Sequence, residues 1–215
     1  MSASSSRAIK ARAATRRREQ SPTEELANSL SHGLALVVAL VGGPYLIVQA
    51  VRRADAVFVV GTSLFCVTIV ALYLASALYH ALPAGRAKRV LRVIDHSSIF
   101  LLIAGSYTPF TLGVLRGAWG WALFGVVWGL ALVGIVLKSV GKAGLYLLMG
   151  WLVVIAVDPL FAKVPTAGLL WLLAGGLFYT AGVAFYATDS RLPFGHLIWH
   201  LFVVAGTACH FLAVL

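Results

Sequence analysis

The stretch FGHLIWHLFVVAGTACHFLAVL, residues 194–215, is apolar enough to sit in lipid, yet it carries His196, His200 and His210. A helix needs about 20 mostly apolar residues to cross the hydrocarbon core of a bilayer. This stretch has that length. Ionisable groups held at such depth are expensive and tend to carry function. Its reading therefore bears on fold and site together.

The same ruler, moved outward along the chain, finds six more spans, near 30–51, 56–80, 92–115, 117–137, 143–161 and 166–187, before the last at 195–215. The breaks fall at GRAKR (85–89), Arg116–Gly117, KSVGK (138–142), Lys163–Pro165 and SRLP (190–193), each holding charge, Gly or Pro. The fifth span is the least regular, because Asp158–Pro159 interrupts it near its end. Of the 215 residues, 60% are hydrophobic and 11% charged, against about 45–50% and about 25% in soluble domains. No strand-like alternation suggests a barrel. The expectation is an all-α integral membrane protein, a seven-transmembrane-helix bundle.

The net charge of +10 does not point to nucleic acid, because six of the 17 Lys and Arg lie within the first 18 residues and the rest sit between apolar blocks. Basic residues placed this way fix topology against anionic lipid. With the N-terminus inside, thirteen Lys and Arg face the cytoplasm and four, Arg52, Arg53, Arg116 and Lys163, face out. The positive-inside rule then expects a cytoplasmic N-terminus and an outside C-terminus. Residues 1–24 read as a disordered basic cytoplasmic tail with no secretory signal, and 25–215 as the transmembrane domain, in the inner (plasma) membrane. Cys66 and Cys209 lie inside spans and read as packing residues.

In that orientation the polar residues share one leaflet. Glu25 and His32 start the first span, His80 ends the second, Asp95 and His96 start the third, and His196 and His200 start the seventh. His196 and His200 are four apart, so both can reach one metal ion from one helix face. His80 would supply a third nitrogen and leave a fourth position open, the pattern of a catalytic zinc. Asp95 could then deprotonate an activated water, and Ser76, one turn before His80, could donate to a developing oxyanion. A proton relay and hydrogen-bonded packing remain open for the same histidines. A bis-histidine haem needs ligands from two sides, and a Schiff base needs a lysine that the seventh span lacks.

Four segments, ELANSLSH (25–32), SALYH (76–80), DHSSIFLLIAGSYTP (95–109) and HLIWHLFVVAGTACH (196–210), resemble the signature segments of the hemolysin III proteins. That family is the bacterial branch of the progestin and adipoQ receptor proteins, distantly related to alkaline ceramidases. The resemblance covers nearly all of the chain after residue 24. It implies zinc on His80, His196 and His200, with Ser76 and Asp95 beside it. Glu25, Asn28 and His32, along one face of the first helix, read as a support for the site.

The resemblance implies metal-dependent hydrolysis of a lipid amide or ester, with a membrane lipid as substrate. The alternative is a non-enzymatic pore-forming or membrane-homeostasis protein with structural zinc. The sequence leaves substrate and oligomeric state open and gives no nucleic-acid partner. His210, ten residues beyond His200 and so about 15 Å along the helix, is expected to pack away from the metal. Tyr107–Thr108–Pro109 is expected to kink the third span, a bend that could open a lateral path for a lipid or serve helix packing alone.

Overall fold

The computed structural model describes residues 18–52, 56–139 and 145–215. Most of the expected basic tail, with Arg53 and Lys142, lies outside them. Among the described residues there are seven helices long and apolar enough to cross a membrane, and no strand. They are α1 (Pro22–Arg52), α2 (Ala56–Ala81), α3 (Arg86–Thr108), α4 (Gly117–Ser139), α5 (Tyr146–Lys163), α6 (Thr166–Thr188) and α7 (Gly195–Val214). The seven spans read from hydropathy match these helices one for one.

The largest difference lies at the start of α1, which begins eight residues before the apolar run. Ser21 and Glu24 form a capping box that nucleates these two polar turns. The Ser21 N–H donates to Glu24 Oε2 at 2.8 Å, and the Glu24 N–H donates to Ser21 Oγ at 3.3 Å. Pro22 takes the first helical position, where its missing N–H has no partner to lose. A hydropathy ruler cannot see such turns, because their residues are polar. They are nevertheless inside the protein: Glu24 is 3% exposed and Asn28 is 0% exposed.

Lipid offers apolar surface as good as the protein interior, so helices associate through close packing and polar contacts. Large side chains such as Leu34, Val41, Trp121, Leu132 and Leu170 accordingly face outward. Inside, α6 packs along α7, α1 along α2, and α2 along α3. Glycines allow close approaches between them. A Cβ on Gly105 of α3 would lie 2.1 Å from Thr68 Oγ1 of α2, and one on Gly206 of α7 would lie 2.9 Å from the Tyr179 ring of α6.

Two helices change their winding, and they do so beside each other. After Thr108 the third span continues as a π-helical segment, Pro109–Leu115. Proline has no N–H to give, and Thr108 fills in locally, its Oγ1 donating to Ala104 O at 2.8 Å and accepting from Trp128 Nε1 at 3.1 Å. In α5, an α-helical turn to Gly150 gives way to a 3-10 segment, Trp151–Ala156, and the α-helix resumes over Val157–Lys163. The break thus precedes Asp158–Pro159, which sits comfortably in the first turn of the resumed helix. The Tyr107 hydroxyl bridges the break: it lies 2.9 and 2.8 Å from the Met149 and Gly150 carbonyls and accepts from the Val153 N–H at 2.9 Å.

Candidate metal centre

His80 occupies the last turn of α2, and His196 and His200 the first turns of α7. Both helices pack against α1, and these ends of them lie together where α1 begins. There the three side chains are buried, and each offers a nitrogen within 4.8 Å of the others. Their ring centroids form a near-equilateral triangle, with sides of 5.1, 5.1 and 4.8 Å. These three histidines are close enough to bind one metal ion.

Hydrogen bonding fixes which nitrogen each ring presents. His80 Nδ1 donates to Glu25 Oε2 at 2.7 Å, and His196 Nδ1 donates to Asp189 Oδ2 at 3.0 Å. Ser31 spends its own proton on Asn28 O at 2.8 Å, so its Oγ accepts from His200 Nδ1 at 3.1 Å. All three rings are thereby held as the tautomer with a lone pair on Nε2. A partner on the distal nitrogen is the usual way a protein orients an imidazole ligand and raises its basicity. His80 Nε2 is buried with no hydrogen-bond partner, a state that is expensive unless something accepts its lone pair. Three neutral imidazoles fit zinc, as they fit copper, nickel or iron.

Beside His196 and His200 lies a narrow cleft with about 10 Å³ of free space, lined by Ser76, Asp95, His96, Tyr186 and His32 among others. That is room for about one water-sized group. Ser76 Oγ is buried there without a hydrogen-bond partner. Asp95 is 7% exposed, and its Oδ2 lies 3.6 Å from His96 Nδ1, which donates to Arg92 O at 2.6 Å. The cleft shares Leu72, Ile99, Trp199 and Val203 with a second cavity of about 460 Å³. The walls of that cavity include Tyr107, Phe110 and Thr111 from the third span and Trp151, Val153 and Val154 from α5. The two rewound segments therefore face each other across it.

All five residues expected at the metal from sequence come together here, but the expected support divides. Glu25 bonds a metal-site histidine directly. His32 stacks on His200, with ring centroids 3.6 Å apart and planes 7° from parallel. Asn28 stands one step back, its side chain donating to Gln20 Oε1 at 2.7 Å. His210 is away from the cluster, against Tyr179 at 5.4 Å, and lines the large cavity. Two partners went unread in the sequence, Asp189 and Ser31. Asp189 lies in the connection before α7, where an acidic residue looks like ordinary loop. Ser31 is hidden by its neighbour His32.

Fold and site together define a class: a seven-helix membrane protein with a tri-histidine centre buried at one end of its bundle. The chain belongs to the haemolysin-III related family, whose model matches residues 20–211. It is 42% identical over 199 residues to a hemolysin-3 homolog of Bacillus subtilis (strain 168), covering 89% of this chain and 93% of that protein. It is 39% identical to hemolysin-3 of Bacillus cereus, over 89% of this chain and 90% of that one. A more distant relative, of the progestin and adipoQ receptor-like kind, is the human monocyte to macrophage differentiation factor, 30% identical over 89% of this chain and 83% of its own. The protein is a multi-pass membrane protein, and its bacterial relatives point to the plasma membrane.

Proposed function

We propose that this protein is a zinc-dependent hydrolase that cleaves an amide or ester of a membrane lipid, near the cytoplasmic leaflet. The observation that supports it best is the set of three Nε2 lone pairs beside a water-sized cleft, which borders an apolar cavity large enough for a lipid chain. Bound by His80, His196 and His200, zinc would supply a Lewis acid that polarises a carbonyl and acidifies water. Asp95 takes the proton from the attacking water and passes it to the leaving amine or alcohol as the carbonyl carbon–heteroatom bond breaks. Ser76 Oγ donates to the carbonyl oxygen as negative charge builds on it. The low-polarity walls of the 460 Å³ cavity take the acyl chain and keep bulk water away.

The test is release of fatty acid by purified, zinc-loaded protein from a panel of lipid amides and esters, beside Asp95→Asn. Release by the wild type that falls in Asp95→Asn supports the reading, and no release from any member overturns it. The name of the Bacillus cereus relative, hemolysin-3, favours a second reading, a pore-forming or membrane-homeostasis protein with zinc as a staple. Leakage of a trapped dye from vesicles holding the protein, unaffected by Asp95→Asn, would be its signature.

A further inference from the structure

We propose that Glu24 is a positioning residue of the metal centre, acting from the start of α1 on the connection that delivers α7. The proposal rests on reading the three histidines as metal ligands. A glutamate in the first turn of a helix ordinarily serves its own helix. Glu24 does more. Its Oε2 accepts from the Ser21 N–H at 2.8 Å and from Arg18 Nη1 at 2.8 Å, and its Oε1 accepts from Arg18 Nη2 at 2.5 Å and from the Phe194 N–H at 2.7 Å. Arg18 Nη2 also donates to Leu192 O at 3.2 Å. One buried carboxylate thus receives four hydrogen bonds, and it joins the beginning of α1 to residues 192–194.

That connection is where the metal site is most exposed to error. It runs only from Asp189 to Phe194 between α6 and α7, and its two ends hold Asp189 and, two residues further on, His196. These are the two halves of one 3.0 Å hydrogen bond. Phe194 sits in the left-handed region at φ 55°, a conformation a side-chain-bearing residue keeps only where its surroundings impose it. The Glu24 carboxylate on the Phe194 N–H is such an imposition. The next residue has no slack, since a Cβ on Gly195 would lie 3.1 Å from both Asp189 Cα and Leu192 Cβ. Releasing Phe194 therefore lets the first turn of α7 rotate, moving His196 relative to Asp189 and to His80.

Full-length protein loaded with cobalt(II) tests this, because the visible absorption of cobalt reports ligand geometry and its rate of loss to a chelator reports affinity. Glu24→Ala is expected to change the spectrum and speed cobalt loss by about tenfold, the low end of what losing an outer partner of a ligand does. Glu24→Gln, which keeps one acceptor oxygen, should lie between it and wild type. Ser21→Ala, which weakens only the helix cap, should lower the melting temperature and leave the cobalt spectrum as it was. Amide exchange at residues 189–196 should quicken in Glu24→Ala and not in Ser21→Ala. An unchanged spectrum and loss rate in both Glu24 variants overturns the proposal, and if Glu24→Ala does not fold, Glu24→Gln decides alone. Were the wild type to bind no cobalt, the metal reading would fall, and amide exchange would separately decide whether Glu24 holds the connection.

Discussion

The two halves of this bundle solve opposite problems. At the end where α1 begins, regular helices bring together His80, His196, His200, Glu25, Asp189 and Ser31, and each of the three histidines has a named partner on its Nδ1. Between α3, α5 and α6, the first two of them rewound, lies a mostly apolar cavity of about 460 Å³. In lipid an unpaired polar group has no water to turn to, so a polar site needs rigid helices to pair its groups. A chamber for a hydrocarbon chain needs no pairing, only room. Irregular winding supplies that room, provided the freed backbone groups are satisfied, as Tyr107 does for α5.

The sharpest way to break this contrast is to remove a ligand. His196→Ala/His200→Ala leaves one nitrogen of three, and bound metal should fall from about one per chain to none, read by plasma mass spectrometry. The cavity, whose lining includes neither of these histidines, should persist. Next in size is Asp95→Asn, which touches the cleft but none of the three nitrogens. Metal content should be unchanged, while hydrolysis, if water attack runs through this carboxylate, should drop by about 10²–10⁴-fold. A variant that loses metal and activity together would make Asp95 part of the binding set instead.

The polar half was far more legible in the sequence than the apolar half. His196 and His200 reveal themselves by a four-residue spacing that helix geometry turns into adjacency, and Ser76 and His80 do likewise. Their sharing of one leaflet follows from span order alone. Asp189 escaped because its partner is reached through a tight turn, whose path a periodicity cannot show. The early start of α1 escaped because a capping box is a signal of helix beginnings and not of hydropathy. In the apolar half, Pro109 announced a disturbance in the third span. Nothing in Trp151–Ala156 announces a 3-10 segment, because its winding answers to Tyr107 and the opposite wall more than to its own residues.

That asymmetry suggests probing the outer partners of the ligands. Asp189→Asn keeps the side chain's shape but removes the charge that His196 Nδ1–H meets. The ring stays in place with a less basic Nε2, and metal affinity should fall by about 10–100-fold, measured by chelator competition. Glu25→Gln should behave in the same way through His80. Equal losses in the two would mean that the ligands are held independently. A much smaller loss in Asp189→Asn would mean that the connection to α7 is fixed chiefly by its other contacts, and would move weight onto Glu24.

The smallest effect is expected in the apolar half, and there it distinguishes packing from pairing. Tyr107→Phe keeps the ring but removes the hydroxyl that lies against the Met149 and Gly150 carbonyls and receives the Val153 N–H. If the broken winding of α5 is held by that pairing, thermal stability should fall by about 1–3 kcal/mol, the usual consequence of leaving buried backbone groups unpaired. Metal content should not change, because no residue of the site touches Tyr107. If stability is also unchanged, α5 must be held in its broken form by the fit of its side chains alone, and the rule that irregular backbone in a membrane needs a polar partner would not govern this wall of the cavity.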